Sequence, residues 1–293
     1  MWPLLAQTEP QGIRGTIDQL ARTPISLIVY ICAIATAIRL VIYWYMRDVP
    51  SHQRGLGYMV AKYGGEAMDA LVYALIFVFL LIRPFGVQAF TIPSASMYPT
   101  LKINDFIIAN KAIYRYSEPK VDDIIVFKPP AKAILEYQKG QDIDYIKRVQ
   151  GVPGDVVEIR GNVLYRNGRK VAQPYVHFTR QISQTEYSDV PIGSMPSMDF
   201  KLVKHNGSYW PVVYNSQSVN FGSAPIYQVR DPAEEEDLRN DPPVAVPPGF
   251  LLVMGDNRNY SYDGRYWGLF ERSRVIGRAE FIWLPPSRWG LTR

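Results

Sequence analysis

The chain has one cysteine, Cys32, in 293 residues, and three histidines, His52, His177 and His205, that stand far apart. A single thiol can close no intramolecular disulfide and build no thiolate cluster, and no histidine has a partner at metal-ligand spacing, so metal chemistry is not expected. Blocks of like charge are also missing. The formal charge is +5 and the Lys and Arg residues are scattered, which argues against nucleic acid and fits a basic face toward anionic lipid equally well. There is no internal repeat, and beyond residue 90 no long amphipathic helix is legible.

What is present begins with long apolar runs. Residues 25–46, "ISLIVYICAIATAIRLVIYWYM", would reach roughly 33 Å as a helix, enough to span a bilayer. Arg39 is expected to snorkel toward the headgroups, and Tyr43, Trp44, Tyr45 and Arg47 read as an interfacial belt. A polar, nearly neutral segment precedes the run and no small-residue cleavage site follows it, so it reads as a retained anchor. A second run, "ALVYALIFVFLLI" from Ala70 to Ile82, is short for a span but lengthens if Asp69 and Arg83 snorkel outward. Arg47, Arg54 and Lys62 lie between the runs, against Arg14 and Arg22 before the first, so the positive-inside rule places both chain ends outside the cytoplasm.

After residue 90 the texture changes to short β-branched and aromatic segments broken by Pro and Gly: 122–130, 144–151, 155–171, 249–256 and 277–285. Asn167-Gly168 is a two-residue hairpin turn. Residues 172–244 lose this periodicity and read as an insertion, with "AEEED" (233–237) as a solvated loop. Gly255 and Asp256 read as turn formers after the "FLLVM" run.

Nucleophile chemistry is suggested by "FTIPSASMYPTL" (90–101), where Ser94 and Ser96 follow the second apolar run. A serine needs a base, and no histidine lies in a segment organised for catalysis. A lysine serves only if its surroundings lower its pKa from about 10.4. Lys147, in "DYIKRVQGVPGD", is flanked by Tyr145, Ile146 and Val149, and strand alternation turns it away from Arg148. On spacing alone these serines could equally form a turn and this lysine could be solvated.

The segments "PSASMYPTL" (93–101), "DDIIVFKPP" (122–130), "YIKRVQGVPGD" (145–155) and "GDNRNYSYDGRYWG" (255–268) resemble, in order and wording, the motifs of type I signal peptidases, membrane-anchored serine proteases with a Ser/Lys dyad. The resemblance implies Ser96 as nucleophile, Lys147 as general base, Ser94 with the Ser96 N–H as oxyanion donors, and Ser261 as the residue that orients the lysine. It implies Asp263 and Arg265 as a supporting ion pair, with Asp263 facing Arg265 rather than Lys147. Met97 and Arg148 are expected near the site in structural roles, with Tyr98 and Trp267 as packing. The chain departs from the family at Ala95, where glycine is common, and at Gly264, where serine is common.

The implied fold is a membrane-anchored, mainly-β protein: an N-terminal segment (1–24), transmembrane helices at 25–46 and 67–83 joined by a cytoplasmic loop (47–66), an antiparallel β catalytic domain (84–171 and 245–293), and an inserted β/irregular subdomain (172–244). The implied activity is removal of signal peptides from exported preproteins, after small residues, by a multi-pass enzyme of the bacterial inner membrane whose catalytic domain faces away from the cytoplasm. No cofactor is implied. The expected partners are preproteins and the lipid bilayer, with no nucleic acid; the sequence does not single out the secretion machinery as a further partner. Two other readings stay open here: a more restricted Ser/Lys processing protease, and a tethered β-domain that binds peptides without chemistry.

Overall fold

The computed structural model describes residues 24–47, 49–50, 54–82, 86–214 and 232–292. Two units emerge, a helical one that ends at Gln88 and a mainly-β one that starts at Ala89. The expectations for residues 1–23, for Arg83 and for 215–231 of the insertion lie outside the described residues.

The β unit is organised by strands whose apolar runs are continuous rather than alternating. In chain order they are β1 (Val87–Thr91), β2 (Phe106–Asn110), β3 (Ile124–Phe127), β4 (Tyr145–Gly151), β5 (Val157–Arg160), β6 (Val163–Arg166), β7 (Arg169–Lys170), β8 (Thr179–Gln181), β9 (Tyr187–Asp189), β10 (Asp199–His205), β11 (Ser208–Tyr214), β12 (Phe250–Met254), β13 (Phe270–Glu271), β14 (Val275–Leu284) and β15 (Gly290–Leu291). The main sheet runs β1-β2-β14-β3-β4-β12-β13, with β15 on β14; a second runs β11-β10-β5-β6-β7; β8 and β9 form a separate hairpin.

A continuous run means burial on both faces. On β3, Ile124 and Val126 join a core with Met97, Leu101 and Ile146, while Ile125 and Phe127 join another with Val149, Val253 and Trp267. β12 does the same one step further along: Leu251 and Val253 enter that second core, and Leu252 and Met254 enter a third with Val157, Phe200 and Leu202 of the second sheet. The turn between β6 and β7 has φ of 52° at Asn167 and 75° at Gly168, the left-handed pair such a two-residue hairpin requires.

The insertion is more regular than its sequence suggests. β10 and β11 form a long hairpin that pairs onto β5. "AEEED" lies in a helix, Pro232–Asn240, instead of the expected loop. Leu238 of this helix packs against Val203 and Val212. Lys201 Nζ donates to the carbonyls of Arg239 and Asp241, the latter at 2.6 Å, and so caps the helix end.

In the helical unit, α1 (Ile25–Arg47) exposes Leu27, Ile34, Ile38, Leu40 and Val41 and buries Ile28. A helix apolar on every side needs a non-aqueous surround. Among the described residues it is the one helix long and apolar enough to cross a membrane, by length and composition.

Helix α2 (Leu56–Ile76) continues as a π-helical stretch, Phe77–Ile82, and so begins inside the segment expected to be a loop. The expected boundary followed the apolar run from Ala70, and the helix extends N-terminal of it. Gly65 is buried, and a β-carbon there would come within 3.0 Å of the Arg39 guanidinium. Arg39 Nε in turn donates to Asp69 Oδ2 at 2.9 Å. Both residues were expected to snorkel outward; they pair with each other instead. Gly64 has open space where Gly65 has Arg39. Gly64→Ala should therefore hold or raise the thermal midpoint in detergent, by up to about 1 kcal/mol of helix propensity. Gly65→Leu cannot share its space with the guanidinium and should lower the midpoint; equal effects at both positions would show that the contact is not formed.

Candidate active site

The site is assembled where β4 runs between β3 and β12. Lys147 lies opposite Ile125, and Arg148 opposite Ile124 on one side and Met254 on the other. Adjacent strand residues point to opposite faces, so this pair divides its work. Lys147 is 6% exposed, with its Nζ donating to Ser96 Oγ at 2.8 Å and to the Ile146 carbonyl at 3.0 Å. Arg148 forks onto Asp256, Nε to Oδ1 at 2.8 Å and Nη2 to Oδ2 at 2.6 Å, and stacks on Tyr175 at 3.9 Å from the ring centre.

Ser96 reaches Lys147 because a 3-10 turn, Ala95–Met97, follows β1 and is pinned by the buried side chains of Met97 and Leu101. Its hydroxyl is nearly buried, while Ser94 is exposed and donates to Ser96 Oγ at 3.3 Å.

Burial pushes the Lys147 amine down from 10.5 to about 8 against the pull of Asp263 and Asp256, with the Arg265 charge helping to lower it. Both carboxylates are already committed to arginines. Arg265 grips Asp263 through Nε at 2.8 Å and Nη2 at 2.9 Å, and the Gly255 N–H adds a bond at 2.8 Å. Burial alone would raise the Asp263 carboxyl, but Arg265 holds it below the usual carboxylate range. Asp256 also accepts from Thr100 Oγ1 at 2.6 Å. Arg258, pulled down to about 10 by burial and by Arg265, donates to the Gly255 carbonyl and to Gln173.

The structure thus brings Ser94, Ser96 and Lys147 together, with Met97 beneath them and Arg148, Asp263 and Arg265 around them. Ser261 is placed differently from its expected bond to the lysine. Its hydroxyl is buried, near enough to Asp263 to favour that charge, yet among the described residues it makes no hydrogen bond of good geometry. Gly255 explains the crowding: a β-carbon there would collide with Ser261 and with the Ser96 carbonyl. Gly255 and Asp256 are therefore more than turn formers, one a close-packing point and the other the anchor of Arg148. No local signal in the sequence announces either, since both depend on what β4 presents. The departure at Gly264 also has a cause: any β-carbon would approach the Val253 carbonyl to 2.7 Å and Leu252 to 2.8 Å. Among the described residues, no group of His, Cys, Asp and Glu side chains could hold a metal.

A family model described as signal peptidase, peptidase S26, matches residues 65–284. A probable signal peptidase I-1 of Synechocystis is 31% identical over 226 residues, spanning 77% of this chain and 85% of the relative. A signal peptidase I of Aquifex aeolicus is 33% identical over 230 residues, spanning 72% of this chain and 81% of the relative. A chloroplastic thylakoidal processing peptidase of Arabidopsis thaliana is 30% identical over 246 residues, 82% of this chain and 55% of that protein. With the family model covering most of the chain and bacterial relatives aligned over most of their length, the chain belongs to the signal peptidase I family (peptidase S26), serine peptidases that remove signal peptides from preproteins.

Proposed function

We propose that Ser96 is the nucleophile and Lys147 the general base and acid of this peptidase; the observation that carries the reading is the 2.8 Å separation of Lys147 Nζ and Ser96 Oγ away from water. As the neutral amine, Lys147 takes the Ser96 proton while Oγ bonds to the scissile carbonyl carbon. Negative charge collects on the carbonyl oxygen, where the Ser96 N–H and a rotated Ser94 hydroxyl donate to it. The Lys147 ammonium then protonates the departing amine as the peptide bond breaks. A water that gives its proton to the same amine attacks the acyl-enzyme and releases the acid. The Arg148–Asp256 and Asp263–Arg265 pairs keep both carboxylates off Lys147, since a carboxylate in contact would raise its pKa.

The substrate is an exported preprotein, cut after small residues. β1 is the terminal strand of the main sheet and leads directly into the Ser96 turn, which suits an extended peptide that adds to a sheet edge. For location, α1 and α2 both span a bacterial inner membrane, with the β unit on the non-cytoplasmic side. The Arg39–Asp69 pair supports the second span because it neutralises charges that would otherwise oppose insertion.

Ser96→Ala and Lys147→Ala should each lower processing of a model preprotein by at least about 10³-fold while the protein stays folded. Mass spectrometry of the products reads this, and a folded Lys147→Ala variant with near-normal turnover would sink the mechanism. In wild type, log(kcat/KM) should climb with pH and level off near the Lys147 value of about 8. A flat profile from pH 6 to 9 would contradict the assignment of the base.

The same lysine taxes stability. Its folded pKa is depressed, so the unfolded chain binds more protons between about 8 and 10.5; the penalty is complete below that window and fades as pH rises through it. At pH 7 it is worth roughly 3 kcal/mol. Lys147→Met should therefore raise the thermal midpoint at pH 7 while removing activity, with a smaller gain at pH 10; a lowered midpoint at pH 7 would count against a lysine whose charged form is disfavoured by burial.

A further inference from the structure

We propose that Thr179 and Asn257 form a brace that positions the nucleophile turn, which makes the 177–181 segment of the insertion a working part of the active site. The proposal rests on Ser96 being the nucleophile. Asn257 is fully buried, and it holds two successive carbonyls of the turn: its backbone N–H donates to Ser96 O at 3.2 Å and its Nδ2 to Ala95 O at 3.0 Å.

The second bond has a geometric consequence. The Ala95 carbonyl and the Ser96 N–H belong to one planar trans peptide and point in opposite directions. Fixing the Ala95 carbonyl therefore aims the Ser96 N–H, the donor offered to the oxyanion.

Thr179 holds the Asn257 amide in place, and the Ala95 carbonyl, which needs a donor, decides which end meets it. The Thr179 hydroxyl accepts from Nδ2 at 2.9 Å and donates to Oδ1 at 3.1 Å. An amide turned the other way would set its oxygen against the Ala95 carbonyl oxygen. Thr179 is 2% exposed, and its own backbone is held on both sides by Asn259, whose Oδ1 accepts from Thr179 N at 2.8 Å and whose Nδ2 donates to Thr179 O at 2.6 Å. His177 extends the attachment, donating to Asp256 O and accepting from Arg258 N, both at 2.9 Å. Farther out, Tyr98, two residues after Ser96, donates from its hydroxyl to the carbonyl of Tyr187 in β9. The insertion thus reaches the turn through Asn257 and through Tyr98.

Because the brace aims a donor that acts on developing charge, its loss should fall on the chemical step rather than on substrate binding. Thr179→Val keeps the shape and removes the hydroxyl; kcat should fall by about tenfold or more with KM changed by less than about twofold. Acylation of Ser96 by a serine-directed acylating probe should slow in proportion. Thr179→Ser should return kcat to within about threefold of wild type. Thr179→Ala, which leaves room for water beside the amide, is expected to lose kcat as the valine variant does and keeps the test open should that variant fail to fold. A Thr179→Val or Thr179→Ala enzyme with kcat within about twofold of wild type, or a serine variant as impaired as valine, would overturn the brace. An active Ser96→Ala enzyme would instead remove the nucleophile reading itself, and that comparison involves no Thr179 variant.

Discussion

Taking the Lys147 side chain out of water lowers its amine from 10.5 to about 8, and the surrounding structure is arranged to sustain that removal. β3 and β12 flank the strand on both edges, and Lys147 is left 6% exposed. The neighbouring residue, Arg148, carries its charge to the opposite face and ties down Asp256. Arg265 does the same for Asp263. Had either carboxylate been left unpaired in this enclosure, its charge would have favoured the protonated lysine further, and a protonated lysine cannot accept a proton from serine. In the proposed mechanism the ion pairs near the site work by occupying acids, not by touching the reacting atoms.

Parts of this were legible in the residues themselves. Ser96 and Lys147 stand out because few side chains can supply a nucleophile and a base when histidines are remote, and because the segments around them follow a recognisable order. The doubly apolar runs at 124–127 and 250–254 identify buried strands for the same reason that a one-faced pattern identifies a half-buried one. Other parts depend on contacts between distant segments. The stretch before Ala70 lies outside the apolar run, and nothing local shows that Gly65 makes room for Arg39. "AEEED" looks solvated until Leu238 finds Val203 and Val212 and Lys201 caps the carbonyls. Asp256 is unremarkable in sequence because its meaning comes from Arg148, 108 residues away. Thr179 lies in a stretch with no periodicity, and its partner is 78 residues distant. In each case the missing information is a tertiary pairing rather than a local propensity.

The helical and β units illustrate two solutions to the same electrostatic problem. In the β unit, buried charges are arranged as forked arginine–carboxylate pairs with further hydrogen bonds filling the remaining sites, so that the lysine is the group left to lose its proton. In the helical unit a single Arg39–Asp69 bond does the pairing, and a glycine makes the space for it. Neither arrangement requires a large net gain in stability. In the β unit, pairing removes the larger cost of an unmatched charge out of water.

The double burial of β12 has a mechanical side. Its residues alternate between the core that encloses Lys147 and the core of the second sheet, so one short strand is common property of both. Peeling away the second sheet would strip one face of β12 and unsettle the Gly255–Asn257 segment that follows it. β12 therefore ties the packing of the second sheet to that of the segment that carries Asp256 and Asn257.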